Sequence, residues 1–211
     1  MKKPLKTGNK ATKIILNLLG AFFIFLGILA YGATLKYGNQ YQVFWICYLS
    51  LILLGIGILR RSSFLIVSQI NLLLITDVIW IIDFISFFVN GQTLWGITSY
   101  MFTNRPTISN FISLQHIFSM PLALIVLYKI KIKRNDAWKL STFQFIIMGV
   151  ITVVATPIEA NVNCVFKPCM PLTLGLIPHQ IIWLLTFFIM VFLTNKMLTR
   201  IKIFNEKEKQ R

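Results

Sequence analysis

Acidic residues are scarce in this chain. Only six of its 211 positions are Asp or Glu, against twenty-one Lys or Arg, and 13% of the residues are charged. A soluble domain carries about 25%. With 56% of the residues hydrophobic, a water-soluble fold of this length could not hide its apolar surface. Cysteine occurs three times, as Cys47, Cys164 and Cys169, too few for a disulfide scaffold. Histidine occurs twice, as His116 and His179. Phosphate-binding Gly loops, a G-x-S-x-G elbow and an H-E-x-x-H helix are all missing, which removes the enzyme classes those motifs define. The chain also lacks an N-x-S/T sequon, and its connections are short. Both features suit a bacterial or archaeal plasma membrane.

What is present is a series of long apolar runs with short polar links. Six segments approach the roughly 20 residues a membrane helix needs: about 14–35, 43–59, 64–89, 108–128, 138–156 and 174–195. The expected fold is therefore all-α, a polytopic membrane protein of six transmembrane helices. A basic N-terminus (1–13) and a basic tail (196–211) flank a membrane domain over 14–195. The first apolar run is too long for a signal-peptide core and lacks a small-x-small site after it, so it reads as an uncleaved span.

The net charge of +15 does not point to nucleic acid, because no folded polar segment is present to shape a groove. The basic residues alternate instead between links. Eighteen Lys and Arg fall in the N-terminus, the "RRSS" turn, the "KIKIKRNDAWK" link and the tail; only Lys36, Arg105 and Lys167 fall in the other three links. Cytoplasmic segments carry such an excess. Both termini are thus expected inside a plasma (cytoplasmic) membrane, with the basic links touching anionic lipid headgroups.

The third run, "TDVIWIIDFISFF", holds two carboxylates, Asp77 and Asp83. An Asp at the bilayer centre costs about 2.5–3.5 kcal/mol, and each large apolar residue returns about 0.3–0.6. Such groups face other helices and are functional by default. At 100° per residue Gln69, Thr76, Trp80 and Asp83 form one stripe, with Asp77 at its edge. Counting depth along the helices brings Asp83, His116, Glu159 and His179 into one layer in the outer half of the membrane, with Asp77 beneath. His116 is expected to pair with Asp83, and Pro121 to disturb the helix below it.

Three functions fit this layer. The first is a membrane-embedded hydrolase or transferase acting on a lipid-like substrate, with His116 as base, Asp83 orienting it, and Asp77, Glu159 or His179 assisting. In a metal variant, His116, His179 and Asp83 would hold a divalent ion such as zinc. No nucleophile stands out. The second is a small-solute or proton-coupled transporter with Asp77 near the midplane, although the inner half shows no polar path. The third is a non-catalytic membrane subunit. Cys164 and Cys169 form C-x4-C around Pro168. They suit a loop-closing disulfide, with a zinc site completed by His179 or Glu159 as the alternative. Sequence alone leaves substrate and oligomeric state open.

Overall fold

A computed structural model describes residues 10–37, 40–103, 106–170 and 177–205. The first nine residues, the last six, Arg105 and the first part of the expected 174–195 run lie outside them. The described residues are mostly helical, with no strand among them: α1 Lys10–Tyr37, α2 Ile46–Leu59, α3 Ser63–Asn90, α4 Thr107–Ser113, α5 Gln115–Ile130, α6 Ala137–Ala155 and α7 His179–Arg200. Five helical stretches are long and apolar enough to cross a membrane, counting Thr107–Ile130 as one. Their outward faces carry Phe25, Ile28, Ile85, Phe143, Val154 and Ile189, all exposed. Acyl chains, not water, suit that surface. The chain is an integral, multi-pass membrane protein.

The expected second span is shorter than the sequence suggested. A 3-10 turn at Gln40–Phe44 precedes α2, leaving 14 helical residues, about 21 Å against a hydrocarbon core of about 30 Å. α2 runs antiparallel to α1 in close contact. A Cβ on Gly55 would meet the Gly20 carbonyl oxygen at 2.5 Å, so glycine is what lets the two backbones approach.

α3 is the centre of the bundle and packs against α2, α5, α6 and α7. Ser62 caps its start by accepting from Leu65 N–H, and Gly91 closes its end with φ +73°. That left-handed turn is easy only for glycine. The buried face of α3 includes Ser68, Gln69, Asn71, Asp77, Trp80 and Asp83. In lipid each such group must find a partner within the protein, and those partners define the rest of the structure.

The basic segments meet at one end. Arg61 donates to the Lys13 carbonyl (3.2 Å) and Asn17 Oδ1 (2.7 Å). Lys133 N–H donates to Ser63 Oγ (3.3 Å), and Ile132 N–H to the Phe204 carbonyl (2.7 Å). At the other end, Cys164 and Cys169 are joined by a disulfide. Asn163 ties that loop to the start of α2: its Oδ1 accepts from Ile46 N–H (3.0 Å), and its Nδ2 donates to the Phe44 carbonyl (2.8 Å) and Thr152 Oγ1 (3.1 Å).

Candidate functional site

The fourth run is broken. α4 stops at Ser113, Leu114 forms a turn, and α5 starts at Gln115. Ile117 N–H reaches the Leu114 carbonyl (3.0 Å), a tighter i→i+3 bond. Pro121 lies one turn further into α5 and cannot donate to the Ile117 carbonyl. His116 is therefore the second residue of a half-helix, aimed across the bundle at α3.

His116 Nδ1 lies 2.7 Å from Asp77 Oδ1. The other carboxylate oxygen accepts from Ser119 Oγ at 3.0 Å. Ser119 is three residues after His116, hence on the same face of α5. A carboxylate on Nδ1 fixes the proton there and leaves Nε2 as the basic nitrogen. Gln115 Nε2 sits 3.0 Å from that Nε2. Gln115 itself is buried, and its Oε1 has no partner among the described residues. Trp80, one turn from Asp77 on α3, stacks on the imidazole with centroids 5.0 Å apart and 27° between planes. The Trp80 indole N–H is held by the Tyr100 hydroxyl at 3.1 Å. Asp77 is almost fully enclosed, whereas the His116 side chain is 16% exposed. The pair thus opens on the imidazole side.

Asp83 does something else. Its Oδ1 accepts from Trp95 N–H (2.5 Å), and its Oδ2 from Thr98 N–H (2.7 Å) and Thr98 Oγ1 (2.8 Å). The expected pairing of Asp83 with His116 is corrected to Asp77 with His116. The loop after α3 folds back onto the helix and fills the level of Asp83 with its own donors, so α5 meets α3 nearly two turns deeper. Backbone N–H groups in an irregular loop need acceptors when buried, and the carboxylate accepts from two of them and from the Thr98 hydroxyl.

The layer expected from depth also separates. Glu159 is exposed, in a 3-10 turn after α6. His179 begins α7, and its Nε2–H donates to the Cys164 carbonyl at 2.8 Å; Trp183 N–H, one turn on, donates to the Asn163 carbonyl at 2.8 Å. Both brace the disulfide loop. Among the described residues no group of three or more His, Cys, Asp or Glu could hold a metal ion. His116, His179 and Asp83 each serve a different partner, and Cys164 and Cys169 serve each other. The zinc arrangements considered from the sequence therefore lack a shared centre.

The half of the bundle toward the basic end is more polar than the sequence suggested. Asn71 Nδ2 donates to Ser141 Oγ (3.3 Å) and Asn195 Oδ1 (3.1 Å), and Gln69 Nε2 to Ser68 Oγ (2.8 Å) and Gln144 Oε1 (3.1 Å). Ser141 and Gln144 share one face of α6, three residues apart, a spacing that could have flagged them. Ser119 carried the same signal beside His116, and Gln115 and Thr98 carried none. No protein-family model matches the chain, nor does any curated protein or solved structure. Its chemistry is therefore argued from this geometry.

Proposed function

We propose that this membrane protein is an enzyme, a hydrolase or transferase whose Asp77–His116 pair acts as general base and acid on a lipid-like substrate. The observation that carries the reading is the 2.7 Å contact between His116 Nδ1 and Asp77 Oδ1, with Ser119 on the second oxygen. An imidazole oriented by a carboxylate, its second nitrogen reached by the Gln115 carboxamide, is an arrangement that moves protons in group transfer. The position suits a lipid: the imidazole edge is the exposed part of the pair, and Ile117, the next residue, is exposed on the surface that acyl chains would cover. The proposal includes a topology of six crossings. α2 is short, yet its end is tied to the start of α1 through Arg61, and the four basic segments gather at one end. With that end cytoplasmic, the disulfide loop faces outside, where oxidation is permitted. The plasma membrane of a cell without an oxidising lumen is the setting proposed, with anionic headgroups at the basic end.

The test is a comparison of membrane lipids from cells expressing the chain and its His116→Ala and Asp77→Asn forms at matched levels. The reading expects a lipid class altered by the wild-type chain and by neither variant. An identical profile in all three counts against it.

A proton-coupled or small-solute carrier is the second reading. It is favoured by the column of buried polar groups on α3, from Asp83 through Asp77 to Asn71 and Gln69, with oxygens on Asn71, Gln69 and Thr194 that have no partner among the described residues. Flux into proteoliposomes that requires Asp77 and a proton gradient would favour it over the enzyme.

A further inference from the structure

The outer surface of the bundle is indented between α6 and α7. Both helices pack on α3, and a groove of about 240 Å³ runs between them. Phe145 and Val191 are buried at its floor, and Ile146, Leu185 and Phe188 stand exposed along its walls. On α7 it extends from Leu184 to Val191, a length of about 10 Å. Ordinary small-molecule pockets hold roughly 300–1,000 Å³, so a single slender chain suits this groove better than a compact ligand. No residue of α3 or α5 lines it, which sets it apart from the Asp77–His116 pair.

One end of the groove differs from the rest. Thr142 is the only polar residue in the lining, and its hydroxyl oxygen is buried with no partner among the described residues. Lys139 and Trp138 precede it by three and four residues, on the same face of α6. Trp138 meets Phe192 of α7 edge-on, with centroids 6.3 Å apart, and Lys139 Nζ lies 6.0 Å from the Trp138 ring centroid. Lys196 follows Phe192 by one turn and Leu185 by three, on the same stripe of α7. Both lysines are exposed, and neither has a carboxylate in salt-bridge range among the described residues. Asp136, the acid of the adjoining link, is already forked to Arg134. Two cations, an interfacial indole and an unpartnered hydroxyl therefore lie at the basic end of an apolar groove.

We infer that this groove binds one anionic diacyl phospholipid, at a site separate from the proposed catalytic pair. The phosphate sits between Lys139 and Lys196, the Thr142 hydroxyl donates to an ester carbonyl, and one acyl chain lies along Ile146, Leu185 and Phe188. The depths agree. The headgroup layer of a bilayer is about 5–8 Å thick on each side, and Thr142 lies about 5 Å further along α6 than Lys139. Basic pockets between membrane helices take anionic headgroups in this way. A zwitterionic lipid offers the same chain and ester but brings its own cation to the two lysines, so net charge sets the selectivity. A second copy of the chain docked here about a two-fold axis would set its own lysines against these, a like-charge contact.

The experiment gives the purified full chain equal amounts of phosphatidylglycerol and phosphatidylcholine with matched acyl chains, and native mass spectrometry reads the lipid retained. In vesicles of the same mixture, phosphatidylglycerol with a diazirine in one acyl chain maps the contact. The expected result is one phosphatidylglycerol retained at least about tenfold over phosphatidylcholine, with crosslinks on the peptides holding Ile146 and Leu185. The Lys139→Gln, Lys196→Gln double variant loses that preference. Ile146→Trp, which fills the groove and keeps both lysines, loses the crosslink. Equal retention of the two lipids by wild type overturns the inference, as does a preference that survives in the double variant. Crosslinks confined to other helices overturn it as well. Displacement of the lipid by inorganic phosphate alone would mark a headgroup site without the groove, and a dimer that Ile146→Trp abolishes would give the groove to a second copy; either result overturns the inference. None of these readouts depends on turnover, so their failure leaves the proton-transfer reading of Asp77–His116 untouched.

Discussion

Asp77 and Asp83 lie less than two turns apart on one helix and are equally enclosed, yet their partners differ in kind. Asp77 holds an imidazole and a hydroxyl, groups that exchange protons; Asp83 holds two backbone N–H groups and a threonine hydroxyl, groups that anchor a loop. Their substitutions should therefore separate. Asp77→Asn should leave the protein folded and cut turnover by about 10²–10⁴-fold, read as kcat on purified protein. Asp83→Asn turns an amide N–H toward donors and should lower stability by about 1–3 kcal/mol, read as an earlier thermal transition in detergent. The sequence showed that both carboxylates must face inward, because lipid would not accept them. Depth counted along the helices pointed to Asp83 as the partner of His116; Asp77 takes that place, and the loop that folds back over Asp83 fills its oxygens.

At the scale of elements, α2 depends on its neighbours at both ends. Its start is pinned by Asn163, from a loop whose Asn161, Asn163 and Cys164 all have positive φ (39°, 54° and 57°). Asn tolerates that region better than most residues. Its end is pinned by Arg61. Release of the Asn163 clamp, by Asn163→Ala or by reduction of the Cys164–Cys169 bond, should free the α2 start and raise the rate at which Cys47 reacts with a small maleimide. A roughly tenfold increase is the expected size, equivalent to about 1.4 kcal/mol of lost restraint; an unchanged rate would mean the clamp does not govern α2. Gly55→Val should separate α1 from α2 and lower stability by about 1–3 kcal/mol, measured by the same thermal transition. The long helices were legible because hydropathy reports them directly. The shortness of α2 was not, because the aromatic residues before it read as continuous with the apolar run while the backbone there makes a 3-10 turn. The break at Leu114 was hidden for the same reason: apolar residues continue through it.

For the whole molecule, charge and geometry agree on two ends. The basic end is held by backbone bonds from the 131–133 link to Ser63 and Phe204; the other carries the disulfide and the loop over Asp83. At the basic end Arg134 forms a forked pair with Asp136 (3.0 and 2.7 Å), and the guanidinium holds the Asp136 carboxyl below its ordinary range. That contribution is present above the ordinary Asp value and is lost as pH falls through the lowered one. The pair is exposed, so it orients a link more than it stabilises a fold. Single cysteines introduced at Arg61 and Glu159 in intact cells should be reactive toward a membrane-impermeant reagent only at position 159. Labelling of both, or of position 61 alone, would reverse or abolish the six-crossing arrangement. The most direct test of the central claim is turnover of a labelled acyl lipid by protein reconstituted in vesicles, with wild type, Asp77→Asn and Asp83→Asn compared after matching for folded protein. The account predicts conversion by wild type and Asp83→Asn, and a loss of about 10²-fold or more in Asp77→Asn. Equal conversion by wild type and Asp77→Asn would contradict it.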